Sequence, residues 1–235
     1  MSTIAVPRVR ANFGANRTLP LENGDRLKAA EFERRYDAMP NLKKAELIRG
    51  VVYMGSPVRV EFHGIPHSDL MGWLAIYRFS TPHVFVGDNS TMRLDDDNQP
   101  QPDGCLFIDS AHGGHSQIVN GYLTGAPELV VEVSSSTVSY DLHQKKDVYA
   151  EFGVREYLVW RVLDGELDWW TLKDGVYMPL PSDAEGILRS EIFPGLWLAA
   201  AALVEGKMSQ VQAVLNRGLA DPSHAEFADR LRGGS

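Results

Sequence analysis

One lysine of this sequence, Lys145, falls on a helical face where apolar side chains are expected. The segment from Tyr140 to Phe152 has helical spacing. Four of its side chains share one face: Leu142, Lys145, Tyr149 and Phe152. A lysine among core residues is costly unless a carboxylate or another acceptor meets it. The pattern therefore predicts a buried lysine beside acidic residues, an arrangement that suits a metal-dependent site handling phosphate.

Two upstream acidic residues could complete such a site. Glu132 lies inside the apolar strand predicted over 129–133, and Asp103 immediately precedes a strand predicted over 105–108. Two carboxylates on neighbouring strands, beside a backbone carbonyl such as that of Val133, suit a hard divalent cation such as Mg²⁺. Such an ion polarises a phosphoryl oxygen and lowers the pKa of a bound water. Lys145 would orient that water or neutralise charge developing on the phosphate.

Each of these residues also has a purely structural interpretation. Asp103 stands in Pro-Asp-Gly and could cap a turn at the start of a strand. An ion pair between Glu132 and Lys145 would by itself account for both residues, so Asp103 is the independent observation. An error in the helix boundary would leave Lys145 exposed.

Further polar residues are ambiguous. Glu46 is either a third carboxylate of the site or a strand-surface residue, and His67 is either a site residue or a satisfied core histidine on an apolar helix face. Asp141 suits the N-cap of the lysine helix. His112 and His115, separated by two glycines, could hold a metal, although a surface loop is the simpler interpretation.

The elements that must position these residues alternate between helices and strands. Helices are predicted over 29–39, 66–79, 140–152 and 208–215, and strands over 45–54 (a pair), 84–86, 91–94, 105–108, 129–133, 156–163, 166–172 and 176–180. Asp-Gly turns at 164–165 and 174–175 are strong hairpin signals. This order predicts an α/β (or α+β) domain with a mixed central sheet flanked by helices. We expect a flexible arm over 1–26, the domain over 27–218 and a tail over 219–235.

Composition limits the choice of function. The 235 residues fit one domain with extensions, and no apolar run approaches the length of a membrane span. The single cysteine, Cys105, excludes an intrachain disulfide and a cysteine-built zinc site, and it favours a cytoplasmic location. The net charge of −8 argues against nonspecific binding of nucleic acid over a broad surface. Carboxylates that bind a metal contribute to such a charge, and the bound cation reverses its local sign.

The candidate residues, in this order and spacing, resemble the Uma-two family of predicted restriction endonucleases, within the PD-(D/E)XK nuclease superfamily. The resemblance covers about residues 28 to 200, and it rests on Pro102-Asp103, Glu132 in Val-Glu-Val-Ser-Ser-Ser-Thr, Asp141, Lys145 and Gly153 to Tyr157, with Glu46 and His67 upstream. In the wider superfamily the lysine usually follows the acidic residue by two positions, where this chain has Ser134. The family carries it on the following helix, where Lys145 matches.

The resemblance implies a restriction-endonuclease-like core and a metal-dependent endonuclease acting on DNA. It implies Mg²⁺, with Mn²⁺ as a substitute, at Asp103, Glu132 and the Val133 carbonyl. Lys145, Glu46 and His67 would complete the catalytic set. Cleavage of both strands needs two sites, so a homodimer is expected. The alternatives are a non-catalytic binding or assembly module that kept the fold, which the acidic charge favours, and a metal-assisted phosphodiesterase acting on RNA or a nucleotide.

Overall fold

The structure is a computed structural model that describes residues 18–55, 59–135 and 140–233. The α-helices are α1 (Ala29–Asp37), α2 (Ile65–Ser80), α3 (Lys146–Phe152), α4 (Ala200–Val204), α5 (Met208–Leu219) and α6 (Pro222–Gly233). The strands are β1 (Ala45–Ile48), β2 (Val51–Met54), β3 (Val84–Asp88), β4 (Met92–Arg93), β5 (Gly104–Ile108), β6 (Gln117–Val119), β7 (Tyr122–Thr124), β8 (Leu129–Ser134), β9 (Glu156–Arg161), β10 (Glu166–Lys173), β11 (Val176–Pro179), β12 (Ile187–Arg189) and β13 (Trp197–Ala199). π-Helical turns at Val60–Gly64 and Asp141–Lys145 lead into α2 and α3.

A six-stranded mixed sheet forms the centre of the fold. Its strand order is β11-β10-β9-β8-β5-β3. β8 and β9 run parallel, whereas the other neighbouring pairs are antiparallel. Two parallel strands must be joined by a crossover connection. The segment that contains Lys145 and α3 forms this connection between β8 and β9. The predicted α/β fold with a mixed central sheet is therefore confirmed.

The two faces of β8 enter different parts of the core, as its alternating pattern predicts. Leu129, Val131 and Val133 pack into a cluster with side chains of α2, α5 and α6. Val130 packs on the other face, in a cluster that contains Tyr149 of α3. Because both faces are covered, the strand is buried along its whole length. Glu132 points toward the α3 side and is buried with it.

The hairpin of β1 and β2 forms a separate two-stranded sheet beside the central one. Arg49 and Gly50, which connect the two strands, both have positive φ, at 51° and 71°. This is the turn that matches the twist of a two-residue hairpin, so the predicted strand pair is confirmed. A bridge between Leu47 and Gln99 joins the hairpin to the segment that leads into β5.

Several boundaries differ from the sequence predictions. The predicted strand 91–94 shortens to β4, which pairs with β7 in a small three-stranded sheet rather than with the central one. The tail expected over 219–235 is wrong for most of its length, because α6 is a helix whose Phe227 and Leu231 belong to the main core. The arm expected over 1–26 falls mostly outside the described residues, but Leu21 is buried against the β1–β2 hairpin.

Glu156, at the start of β9, is a buried carboxylate outside the predicted set of site residues. It accepts hydrogen bonds from Ser190 Oγ at 2.7 Å and from the backbone N–H groups of Glu191 and Ile192 at 2.7 and 3.3 Å. Burial raises the pKa of Glu156 to about 7, although these hydrogen bonds oppose the shift. The carboxylate thereby anchors the segment that follows β12.

This raised pKa predicts a pH-dependent stability. Between about pH 4.5 and 7 the folded protein keeps a proton that the unfolded chain has released, so the free energy of unfolding falls as pH rises. Glu156→Gln removes this contribution. Its unfolding free energy relative to the wild type is expected to increase by about 3 kcal/mol from pH 5 to pH 8. Urea unfolding at the two pH values measures the change, and an equal difference at both would contradict it.

Among the described residues, none of the helices has the length and apolar character needed to cross a membrane.

Candidate functional site

The ammonium group of Lys145 is buried among acidic side chains. Its Nζ lies 2.5 Å from Oε1 of Glu132, 2.9 Å from Oε1 of Glu46 and 3.8 Å from Oδ1 of Asp141. The residue is 1% exposed, which rules out the interpretation that a boundary error leaves it on the surface. The Glu132–Lys145 ion pair considered from sequence is present, and Glu46 is part of the same cluster.

A helical segment with an irregular start carries this lysine into the site. Asp141–Lys145 forms a π-helical turn that continues directly into α3. Tyr149, one turn further along α3, donates a hydrogen bond from its hydroxyl group to Oε1 of Glu132 at 3.2 Å. Tyr157 of β9 donates its hydroxyl hydrogen to the backbone oxygen of Asp141 at 3.0 Å, which holds the π-helical turn against the sheet.

Asp103 lies across from Glu132 on the neighbouring strand. Gly104 pairs with Val131, so the preceding Asp103 comes opposite Glu132, and its N–H lies 3.3 Å from Glu132 Oε2. Oδ2 of Asp103 accepts a hydrogen bond from the N–H of Val133 at 2.8 Å. The carboxylate thus joins two strands rather than capping its own turn. Gly104 is needed here, since a Cβ would lie 2.7 Å from Met71 Sδ and 2.9 Å from Val131 Cγ2.

Two residues of the site were missed from the sequence. Lys44 places its Nζ 2.8 Å from Oδ1 of Asp103. It stands two positions before Glu46, so the alternation of an extended chain that directs Glu46 inward directs Lys44 to the same side, and this was the signal available in the sequence.

His63 is the second missed residue. Its Nδ1 lies 3.2 Å from the carbonyl oxygen of Val133, and its Nε2 lies 3.9 Å from Oδ1 of Asp103. The sequence prediction began the following helix at Pro66. In the structure a π-helical turn precedes α2, so His63 stacks on His67 with ring centroids 5.6 Å apart. The spacing of four residues between the histidines was the available signal.

His67 contacts the backbone of the site rather than its carboxylates. Its Nε2 lies 3.1 Å from the carbonyl oxygen of Asp103 and 3.1 Å from Oδ1 of Asp88. Both of these partners are acceptors, which favours the hydrogen on Nε2, while the donor Nδ2 of Asn89 makes a longer contact with the same nitrogen at 3.4 Å. The structure therefore places His67 behind Asp103, on the side of β3, while Glu46 lies in direct contact with Lys145.

The site holds more buried negative than positive charge. Four carboxylates, those of Glu46, Asp103, Glu132 and Asp141, are each less than 7% exposed, whereas two lysines, Lys44 and Lys145, face them. With all four carboxylates ionised, four negative charges against two leave an excess of two. A divalent cation has the charge that would balance this excess, so the donor set fits such an ion.

The pKa values of the two opposed carboxylates shift in opposite directions. Burial raises the pKa of Glu132 well above its usual range, because the repulsion of Asp103 and Asp141 adds to it and the attraction of Lys145 does not offset it. Burial acts in the same sense on Asp103, but Lys44, His63 and the N–H of Val133 hold the pKa of Asp103 below its usual value.

The surroundings of Lys145 fix its charge. Burial opposes the charged form, but Glu132, Glu46 and Asp141 raise the pKa of Lys145 well above its usual value. The group is therefore protonated at neutral pH. It can donate hydrogen bonds and neutralise negative charge, and it cannot act as a general base.

The oxygens predicted as metal ligands all have partners within the protein. Asp103 and Glu132 are paired with lysines, and the Val133 carbonyl is contacted by His63. Within the described ranges, the group of three histidine or acidic side chains whose ligand atoms converge within 4.8 Å lies elsewhere. Mg²⁺ is commonly held by one or two carboxylates, with waters and phosphate oxygens completing its shell, so a third acidic ligand is not required.

Comparison with known proteins agrees with this fold. Residues 29–201 match the family model described as "Putative restriction endonuclease", and the chain belongs to that family, Uma2. The fold is similar to a crystal structure described as "a putative nuclease belonging to DUF820" from Anabaena variabilis, with a TM-score of 0.52 and 13% identity over 69% of this chain and 92% of that one. No match was found among curated proteins. The protein therefore has a nuclease-like fold and belongs to a family described as restriction endonucleases.

Proposed function

We propose that this protein is a metal-dependent endonuclease that hydrolyses phosphodiester bonds in DNA. The observation that carries the proposal is the fully buried Lys145 ammonium, held between Glu132 and Glu46 beside a second carboxylate, Asp103, on the adjacent strand. A structural ion pair needs one acid for one lysine. The excess of acids over lysines in this cluster is what a cation-dependent site requires, and family membership adds independent support.

Asp103, Glu132 and the carbonyl of Val133 are the groups proposed to hold the metal. Magnesium, or manganese in its place, would supply Lewis-acid polarisation of the phosphoryl oxygen and a more acidic water. Lys44 and His63 must move to release Asp103 Oδ1 and the Val133 carbonyl, and both side chains are only partly buried, unlike Lys145.

Lys145 is proposed to act as a fixed positive charge. Because it stays protonated, its Nζ can donate a hydrogen bond to the attacking water or stabilise charge on the phosphate in the transition state. Glu46 and Tyr149 help to position the Lys145 ammonium and its partner Glu132. Glu46 accepts hydrogen bonds from Lys145 and, at 2.7 Å, from the N–H of Gln101, while Tyr149 donates to Glu132. His67 is proposed to position Asp103 through the backbone carbonyl.

The direct test is cleavage of supercoiled plasmid DNA in the presence of Mg²⁺ or Mn²⁺. Asp103→Asn is expected to lower the cleavage rate by at least about 10³-fold, since loss of a charged metal ligand removes several kcal/mol of transition-state stabilisation. Single-turnover assays that follow conversion of supercoiled to nicked plasmid measure the rate.

Asp174→Asn is the matched control for this test. Asp174 is exposed in the β10–β11 turn with φ of 51°, a conformation that asparagine adopts readily, so the variant has the same change of charge without touching the site. It should cleave like the wild type. Equal cleavage by wild type and Asp103→Asn would mean a contaminating nuclease or a different site.

A non-catalytic binding or assembly module is the second candidate. The observation that favours it is that Lys44 and Lys145 already pair with both proposed metal carboxylates, in a chain of net charge −8. Calorimetric titration separates the two candidates. Binding of Mn²⁺ that is lost in Asp103→Asn supports the nuclease, whereas no binding of Mg²⁺ or Mn²⁺ at millimolar concentration supports the module.

Substrate choice and assembly follow from the proposed reaction. We expect duplex DNA to be cleaved in preference to single-stranded DNA and RNA, and preferred cleavage of RNA would favour the phosphodiesterase alternative. Cutting both strands requires two sites, so we expect a homodimer. We also expect a cytoplasmic location, consistent with the single cysteine, which is buried and free.

A further inference from the structure

A second group of metal-ligating side chains lies at the opposite end of β5 from Asp103. His83 precedes β3, Asp109 follows β5, and His112 ends the short 3₁₀ turn Ser110–His112. One ligand atom from each of the three comes within 4.8 Å of the others, and all three side chains are partly buried. The length of β5 separates this group from Asp103 by about 20 Å of extended chain.

Backbone hydrogen bonds hold the three residues together. The N–H of Asp109 donates to the carbonyl oxygen of His83, and the N–H of His112 donates to that of Asp109, each at 2.8 Å. Oδ1 of Asp109 accepts from the N–H of Ala111 at 2.9 Å, while Oδ2 faces His112 Nδ1 at 3.9 Å. Main-chain hydrogen bonds therefore fix the backbone positions of the three residues, so a ligand would not need to order the backbone.

An unpartnered nitrogen lies inside this group. Nδ1 of His112 is buried and has no hydrogen-bond partner among the described residues, and the ring stacks on His83 with centroids 3.5 Å apart. A buried polar atom without a partner costs about 1–3 kcal/mol, so such an atom is a candidate to bind a ligand. His83 also has a positive φ of 57°, which is uncommon for a residue other than glycine.

His112 and His115 do not converge on one site, as the less favoured interpretation of the sequence, a metal held by both, would require. His115 turns away from His112, and its Nδ1 and N–H both lie 3.0 Å from Oε1 of the buried Glu128. The histidine that stacks on His112 is instead His83, which is distant in sequence and is brought close by the pairing of β3 with β5.

We propose that His83, Asp109 and His112 form a second metal site, specific for a borderline transition metal such as Zn²⁺. Two imidazoles and one carboxylate are typical ligands of Zn²⁺, whereas Mg²⁺ prefers oxygen ligands alone. Adjacent ligand atoms of tetrahedral zinc lie about 3.3 Å apart, so the side chains close by about an ångström on binding. The stacked rings of His83 and His112 must also tilt, because an imidazole nitrogen binds a metal in the plane of its ring. The ion ties the loop after β5 to the α2–β3 turn and stabilises that end of the sheet.

The test is a zinc titration of tag-free protein in the Asp103→Asn background, which removes the proposed nuclease metal ligand. Calorimetry should show binding of one Zn²⁺ per chain, and Co²⁺ should give the visible absorption bands of a nitrogen- and oxygen-ligated ion. His83→Asn, Asp109→Asn and His112→Ala should each weaken zinc binding by at least about tenfold. Asparagine is compatible with the φ of His83, and in Asp109→Asn it keeps the Oδ1 contact, so these two variants are expected to fold.

His115→Ala and His143→Ala are the controls, because both histidines are exposed and lie outside the proposed ligand set. They should bind Zn²⁺ as the parent protein does. The proposal is overturned if Asp103→Asn protein binds no Zn²⁺ or if His83→Asn leaves zinc binding unchanged. It is also overturned if His115→Ala weakens binding as much as His112→Ala, which would assign the ion to the loop histidines alone.

Discussion

Lys145→Met is expected to lower the free energy of unfolding by about 3–5 kcal/mol and to abolish cleavage, because methionine leaves the buried acids without their cation. Nζ of Lys145 contacts Glu132 and Glu46 directly and has Asp141 nearby. Methionine keeps most of the side-chain volume, so the loss reports the missing charge rather than a cavity. Chemical denaturation near pH 7 measures the stability, and plasmid nicking measures the activity.

The neighbouring lysine provides the control for this variant. Lys146 is partly buried, and its Nζ lies 3.6 Å from the centre of the Trp170 ring. Lys146→Met removes the same charge and should cost at most about 1 kcal/mol, the range of a cation–π contact. A similar small cost for Lys145→Met would show that the acids are not held by the lysine, and the proposed site would lose its basis.

Adding Glu132→Gln to Lys145→Met should recover part of the lost stability. The second substitution removes one of the acids that the first leaves unpaired, so the two effects are not additive. A coupling of about 0.5–3 kcal/mol is expected for side chains in direct contact. If the two effects were additive, the stability lost in Lys145→Met would come from the loss of its contacts with Glu46 or Asp141 rather than with Glu132.

Glu132→Gln on its own should separate activity from stability. Cleavage should fall by at least about 10³-fold, because a charged ligand of the proposed metal is lost. Stability should be unchanged or higher at pH 8, because burial raises the pKa of Glu132 and its ionised form is costly in the folded protein. The glutamine oxygen can still accept from Lys145 and Tyr149, and the one contact that is lost, from the N–H of Asp103, is long at 3.3 Å.

Glu128→Gln is the matched control, with the opposite expected outcome. Glu128 is another buried glutamate, one residue before β8, and its two oxygens accept hydrogen bonds from the N–H groups of Ile108 and His115. Its amide variant must leave one of these donors without an acceptor, which costs about 1–3 kcal/mol. It should cleave DNA normally. Retained cleavage in Glu132→Gln would exclude Glu132 from metal binding.

The local patterns of the sequence were sufficient for much of the fold. Period-two alternation identified the faces of β8, and the Asp-Gly pairs identified the turns of the β9–β10–β11 meander, because both signals arise within a few neighbouring residues. The apolar stripe that contains Lys145 and Tyr149 likewise predicted which side of the helical segment is buried. The C-terminal helix was missed although His224, Phe227, Ala228 and Leu231 recur at helical spacing. Only Phe227 and Leu231 among them are large apolar residues, and their burial depends on distant partners in the core.

The sequence by itself determined that a lysine would lie in an apolar setting and that Glu132 would lie on one face of a buried strand, since helix and strand periodicity are local properties. Only the tertiary structure decided which groups meet them. Lys44 and His63 join the site through the β1–β2 hairpin and a π-helical turn, and His83 meets His112 because β3 pairs with β5. Such contacts depend on the order of the strands and on the balance of buried charge. Both are determined jointly by residues that are distant in the chain.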